Sequence, residues 1–417
     1  MATPASKTIV IGAGVAGMSA ALYLQRAGVP VTVIDPSPPA SGASFGNAGM
    51  ISADTAVPIA LPGMLRKVPG WLTDPLGPLA VHPSYFPKAL PWLLRWIEAS
   101  RMSRVLTISD AMRALHRGAF DCWKELLGQQ KFYDLIRPVG QVHVWEEETE
   151  SASAALERQL RERQGIKSET LGPDDLQQMF PGMSRNVKRG VLVPGNGYTV
   201  NPQRLVRTLG ELLLEAGGEL LPERVMKIIP RDDGPGYRVM TNVANHMAEK
   251  IVVAAGAWSQ RLLDPLGIKV ALETERGYHV MLPSPGVAVK TTISNKSRSF
   301  GVTPMEHGLR LAGTVEIAGL EAPPDERRAK ILMQSAKTMF PDLDTRDYRM
   351  WMGFRPSTPD SLPILGEAPG RPGLYFIFGH GHFGMTGGPP SARLVSRLIT
   401  GAPPEFDPTP YSPRRFS

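Results

Sequence analysis

Thr8-Ile9-Val10-Ile11 leads into Gly12-Ala13-Gly14-Val15-Ala16-Gly17, and Val31-Thr32-Val33-Ile34 then ends on Asp35. The order is strand, glycine turn, helix, second strand, carboxylate. Gly12 permits the tight turn, Gly14 lets backbone approach a pyrophosphate, and Gly17 lets helix and strand pack closely. The helix N-terminus offers unpaired N–H groups and the positive end of its dipole to phosphates. Asp35, at the end of the second strand, is placed to accept hydrogen bonds from a ribose. Ile9 to Leu24 carries no charge, but it is shorter than the ~20 residues that a membrane span needs. Its glycines fall where a nucleotide turn wants them, and no small-residue cleavage site precedes a mature start, so neither a span nor a signal peptide is expected.

The chain has 417 residues, which argues for two domains rather than one core. A hydrophobic content of 42% with 20% charged residues describes a globular protein rather than a disordered one. The 40 prolines exceed the usual ~5% and point to long ordered connections. A single cysteine, Cys122, excludes an intrachain disulfide and any multi-cysteine metal site. None of the 8 histidines shows ligand spacing with carboxylates, so no metal is expected. The net charge of +7 favours anionic substrates or an anionic membrane surface. The basic residues are scattered, and no nucleic-acid partner is expected.

Beyond Asp35 comes a loop of small residues, Ser44-Phe45-Gly46-Asn47-Ala48-Gly49-Met50, suited to close backbone approach to a ligand. Tyr85 to Ile97 is aromatic, apolar and partly basic. A core-facing helix edged by snorkelling cations is the favoured reading, and contact with a membrane surface or partner the sharper one. Helices are expected over 104–130, 150–164 and 202–216, and strands over 139–145, 224–229, 251–256, 270–282 and 298–313. A strand at Leu374–Gly379 enters His380-Gly381-His382-Phe383-Gly384-Met385-Thr386-Gly387-Gly388, and a helix follows. Two strand–glycine–helix units thus bracket the chain, and the second could present N–H groups to another negative region of the same dinucleotide.

These motifs, with Ala254-Ala255-Gly256-Ala257-Trp258, Arg276-Gly277-Tyr278 and Trp351-Met352-Gly353-Phe354-Arg355-Pro356, resemble the flavoprotein amine oxidoreductases that include D-amino-acid oxidase, glycine oxidase and sarcosine oxidase. Within that group the chain looks most like the bacterial D-amino-acid dehydrogenases. The resemblance implies an α/β fold, a Rossmann-like FAD-binding domain of the glutathione-reductase βαβ type with a second α+β substrate domain built on a mainly antiparallel sheet. The implied boundaries are 1–80, 185–270 and 350–417 for the first domain, with 81–184 and 271–349 for the second.

The resemblance also implies cofactor contacts. Gly12, Ala13, Gly14, Val15, Ala16 and Gly17 would line the pyrophosphate of FAD, with Asp35 and Pro36 at the adenosine ribose. Ser44, Asn47, Ala48, Gly49 and Met50 would pass by the isoalloxazine, and Val225 would touch the adenine. Ala255, Gly256 and Trp258 would follow the diphosphate-ribitol. Gly381, His382, Phe383, Gly384, Met385 and Thr386 would face the pyrimidine edge. Covalent attachment in the family uses a cysteine near the segment that here reads Met352–Arg355, or a histidine in the N-terminal loop. This chain has neither, so FAD is expected to be noncovalent.

For the chemistry, Arg355 is the first candidate, since a guanidinium can clamp a carboxylate through two parallel hydrogen bonds. Its alternative is an interdomain salt bridge. Tyr278 is the second, with a sheet tyrosine buried in the core as the equal alternative. If Tyr278 points in, His279 points away. His380 could accept an amine proton, although a purely orienting role for His380 and His382 is preferred. Tyr278, Arg355, Met50 and His380 are the expected substrate contacts. The implied reaction takes a D-amino or D-imino acid to the oxo acid through an imine, with electrons passed to a quinone or other acceptor. An oxidase of glycine, sarcosine or another secondary amine, releasing peroxide, is one alternative. A flavin subunit of a larger electron-transfer complex is the other. The implied location is cytoplasmic, with peripheral contact at the inner face of the membrane left open, as are the oligomeric state and the substrate side chain.

Overall fold

A computed structural model describes residues 6–63, 66, 68–74, 77–232 and 234–416. Part of the proline-rich stretch from Pro58 to Pro91 therefore lies outside the described residues. The strand Ser6–Ile11 is central to an eight-stranded sheet, parallel to Val31–Ile34 on one side and to Asn245–Val253 on the other. Asn245–Val253 is in turn parallel to Leu374–Phe378. Parallel strands covered on both faces read as continuous apolar runs, and Val31–Ile34 and Leu374–Phe378 are buried throughout.

Helix Val15–Arg26 follows the first strand, and helix Gly384–Thr400 follows the strand Leu374–Phe378. Because these strands run parallel, both helices start at the same edge of the sheet. Gly384 and Gly388 lie against Val15, so the two N-termini adjoin. Helix Pro202–Glu215 packs beside them, with Asn201 capping it (Oδ1 accepts from Arg204 N at 3.0 Å) and Pro202 in its first turn.

A nine-stranded, largely antiparallel sheet forms the second layer. Near one end of it, Glu273–Leu282 lies between Arg349–Ser357 and Gly308–Ile317. Helix Arg327–Met339 covers its outer face. The strands Arg189–Val193 and Arg349–Ser357 belong to this sheet, although the expected boundaries at 185 and 350 put them with the first. A small third sheet joins Met50–Ile51, Gly197–Thr199 and Ile136–Arg137, tying the small-residue loop to the second layer.

Helix Phe86–Ala99 buries Ala89, Trp92, Leu93 and Trp96 and leaves Leu90 and Leu94 outside, as a core-facing helix does. Trp92 Nε1 donates to the Ser357 carbonyl at 3.1 Å, which fixes one end of the Arg349–Ser357 strand. Among the described residues no helix is long and apolar enough to cross a membrane.

Candidate active site

The glycine turn has the geometry its residues promise. Gly12 adopts a φ of 113°, and a side chain there would run into the Ala254 carbonyl. A side chain on Gly17 would run into the Gly12 carbonyl. Gly14, the residue before the helix, meets only the Ser44 hydroxyl, and Val15 N donates to that hydroxyl at 3.0 Å. Asp35 folds back on the turn: one carboxylate oxygen accepts from Ala13 N at 2.8 Å, the other from Ser37 N at 2.8 Å. Burial pushes its carboxyl above the ordinary range, while these N–H bonds and nearby Arg224 pull the other way. Val225 packs in the apolar cluster that holds Leu221 and Ile34. Ala254 N donates to the Ile11 carbonyl at 2.8 Å, which brings Ala255 and Gly256 beside the turn.

Neither Gly14 nor Phe383, the residues that begin the two adjoining helices, makes a side-chain cap. Apart from the Ser44 hydroxyl on Val15 N, the two adjoining helix N-termini present their positive ends side by side, which suits the pyrophosphate of an extended dinucleotide. The residues present fit FAD on this ground.

The small-residue loop is fastened from the second sheet. Arg310 Nη1 donates to the carbonyls of Phe45 (3.2 Å) and Asn47 (2.6 Å). Asn47 Oδ1 accepts from Gly49 N at 2.7 Å. Burial drives the Arg310 guanidinium down to about 10. Met50 Sδ accepts from Gln141 Nε2 at 3.2 Å, and its methyl lies on Gly301. Thr386 Oγ1 accepts from Ser52 N at 2.9 Å, while Met385 points into the core.

Register divides Glu273–Leu282 and Arg349–Ser357 of the second sheet into two faces. Glu275, Gly277 and His279 stand opposite Arg355, Gly353 and Trp351. This face looks toward the loop, because His279 Nδ1 donates to the Gly46 carbonyl at 3.0 Å and Trp351 lies on Gly46. Arg355 lies deep in the molecule yet keeps part of its surface open. Its guanidinium folds across Gly277, where any side chain would collide with it. Nη1 donates to the Thr314 carbonyl at 3.0 Å. Thr314 sits at a φ of 57°, beside a register shift that turns the carbonyl toward Arg355.

Tyr278 lies on the other face, and this corrects the expected orientation. It packs with Val280, Leu282 and Leu332 beneath helix Arg327–Met339. Its hydroxyl donates to Glu316 Oε2 at 2.8 Å and accepts from Asp325 N at 2.8 Å. Arg276 shares that face, ion-paired with Glu316 at 3.2 Å. The strand does not bring Tyr278 to Arg355, and His279 takes the inward place. Sequence alternation could not select the face, because all ten residues of Glu273–Leu282 are buried.

His380 is buried, with Nε2 3.0 Å from the Ser391 hydroxyl. Burial lowers it to about 4, so it stands neutral and is a weak base. His382 pairs through Nε2 with Glu275 Oε2 at 2.7 Å. Burial alone would raise Glu275, but the His382 bond and the charges of His382 and Arg355 outweigh it and hold the carboxylate below its ordinary range. Phe383 packs on His116, with ring centroids 5.3 Å apart. Trp258 meets Phe354 edge-on at 5.4 Å, on the face away from Arg355. Glu275, His279, Arg310 and Trp351 are the site residues the sequence reading missed. A carboxylate inside a wholly buried strand was the available signal for Glu275.

A layered α/β fold with a glycine turn, a second glycine cradle and a sheet roof carrying the Arg355 guanidinium defines a flavin-dependent oxidoreductase architecture. The DAO family, FAD-dependent oxidoreductases, matches residues 7–398, and the chain belongs to that family. FAD is its cofactor. It is 37% identical to a D-amino-acid oxidase of Bradyrhizobium diazoefficiens, over 98% of each chain. It is 30% identical to a D-amino acid dehydrogenase of Vibrio vulnificus, over 95% of this chain and 96% of that one. Glycine oxidase from Geobacillus kaustophilus shares the fold, with a TM-score of 0.70, 22% identity and 97% of each chain covered.

Proposed function

We propose that this chain oxidatively deaminates a D-amino acid to the 2-oxo acid, with Arg355 holding the substrate carboxylate. Arg355 carries the reading. A guanidinium deep in the protein, hydrogen-bonded to the Thr314 carbonyl and with part of its surface open, invites an anion. Glu275 stands opposite it but is shared with His382. FAD, which the Gly12–Gly17 turn and the Gly381–Thr386 cradle would hold, would supply the hydride acceptor for oxidation of the substrate Cα–N bond, and the resulting imine would hydrolyse to the oxo acid. The chain orients and encloses. Arg310 fixes the loop at Phe45 and Asn47, and the two helix N-termini stabilise negative charge. A neutral amine is the reactive form, and neither His279 nor His380 is basic enough to hold its proton near neutral pH.

The two sheets, rather than the expected boundaries, define the two domains in this reading. FAD is held noncovalently: Cys122 is buried, with its carbonyl against the Tyr23 hydroxyl at 3.3 Å. Electrons pass to a quinone or another carrier. Release of peroxide is the second reading, favoured by the name of the 37% relative. Anaerobic bleaching of the bound flavin by D- but not L-amino acids is the expected result, and no bleaching by any D-amino acid would overturn the proposal. Peroxide formed in air at one equivalent per oxo acid would select the oxidase.

A further inference from the structure

We propose that Trp351 sets the side-chain preference of the site and selects apolar, above all aromatic, side chains over acidic and basic ones. This rests on Arg355 as the carboxylate clamp. Gly277 and Gly353 stand opposite one another in neighbouring strands. The Arg355 guanidinium folds over Gly277 and the Trp351 indole folds over Gly353, each occupying the space a side chain would need. Directly opposed residues lie about 5 Å apart, so cation and indole sit side by side on a bare row of backbone. The indole also covers Gly46 and so bridges the sheet and the small-residue loop. Phe45 meets it edge-on with centroids 5.8 Å apart, and His279 stacks behind it at 5.2 Å and 23°. A substrate whose carboxylate is held by Arg355 meets this aromatic wall next.

The charges around the row point the same way. Burial and the nearby Arg310 charge hold His279 down to about 3, so the imidazole behind Trp351 is neutral. Glu275 faces His382 and Arg355. Arg310 directs Nη1 to two backbone carbonyls of the loop. A basic side chain would find Glu275 already shared with His382, and an acidic one would lose water against an indole. An aromatic side chain gains ring contact in addition to burial, which corresponds to about a tenfold preference.

The test uses the purified flavoprotein with Trp351→Ala, Trp351→Phe and Trp351→Leu. Binding of phenylacetate, acetate and succinate is followed by the shift of flavin absorption, and anaerobic bleaching rates are compared for D-phenylalanine, D-leucine, D-alanine, D-aspartate and D-lysine. Wild type should bind phenylacetate about tenfold more tightly than acetate or succinate. Trp351→Ala should lose most of that margin while holding acetate within about twofold, and Trp351→Phe should keep most of it. Should the alanine variant lose its flavin, the phenylalanine and leucine variants carry the comparison, with the margin retained only by the ring. Tighter phenylacetate binding or faster D-phenylalanine turnover without the indole would overturn the proposal, as would a wild-type preference for D-aspartate or D-lysine. If no D-amino acid bleaches the wild type, the proposed function falls, and the phenylacetate margin still reads the role of the indole separately.

Discussion

Replacing Arg355 with methionine keeps much of the stem that covers Gly277 and removes the fork. Two charge-assisted hydrogen bonds to a carboxylate would be lost, about 3 kcal/mol, which is a little over a hundredfold in kcat/KM. Steady-state kinetics on the best D-amino acid should show that loss together with a raised KM; a change below fivefold would remove Arg355 from the substrate. Tyr278→Phe should behave differently. The hydroxyl serves Glu316 and the Asp325 backbone on the far face. Its removal should cost about 1–2 kcal/mol of stability in denaturant melts and leave kcat/KM within about threefold. A loss beyond tenfold would return Tyr278 to the site. The Gly-Phe-Arg-Pro segment pointed to Arg355 in the sequence. Tyr278 misled because a strand buried on both faces gives no alternation to read. Trp351 and Arg310 act through where they fold, over glycines and onto carbonyls, and no spacing in the sequence announces that.

At the scale of elements, the first strand, its glycine turn and the following helix were readable because every position has its own geometric demand. Gly12→Ala tests the strictest of them. A methyl at a φ of 113° would meet the Ala254 carbonyl, and alanine is strained in that conformation besides. The variant should emerge with little flavin, seen as a collapse of the ratio of flavin to protein absorbance; full yellow occupancy would contradict the reading. The helices were legible as amphipathic runs, but the stretch expected at 104–130 divides into Met102–His116 and Ala119–Leu135. The expected strand at 298–313 is likewise a hairpin, Phe300–Met305 and Gly308–Ile317, turned at Gly308 with a φ of 121°. Glycines inside apolar runs mark such breaks, yet the same residue also packs flat, as Gly313 does under Phe300 and Leu332. Only tertiary context separates the two uses.

For the whole molecule, buried histidines set the response to acid. Burial is the main cause that holds His116 and His279 near about 3, His380 near about 4, and His143 well below its usual range. Unfolded, each would take up a proton near pH 6.5. Between those values the unfolded chain binds more protons, so stability rises with pH. Their contribution is complete above about pH 6.5 and drains as the pH falls toward the folded values. Asp35 and Glu273, both raised by burial, work in the opposite sense at the acid end. Melting temperature should therefore drop by several degrees between pH 7.5 and 5, with proton uptake on unfolding; a flat profile would contradict this. The second layer was legible from the strands expected over 270–282 and 298–313, and the first from the two glycine cradles bracketing the chain. The sequence carries no signal that Arg189–Val193 and Arg349–Ser357 pair into the second sheet.

The parallel alignment of Ser6–Ile11 with Asn245–Val253, and of that strand with Leu374–Phe378, has a consequence during synthesis. The first glycine turn leaves the ribosome well before the helix start that adjoins it, which is translated only after residue 383. A chain emerging N-terminus first must hold its opening strand without its later neighbours, and long-range closure of this kind is slow. Cofactor capture is then a late event in biogenesis. Nascent chains arrested before residue 373 should retain no flavin, and flavin supply should govern the yield of soluble protein rather than the rate of translation.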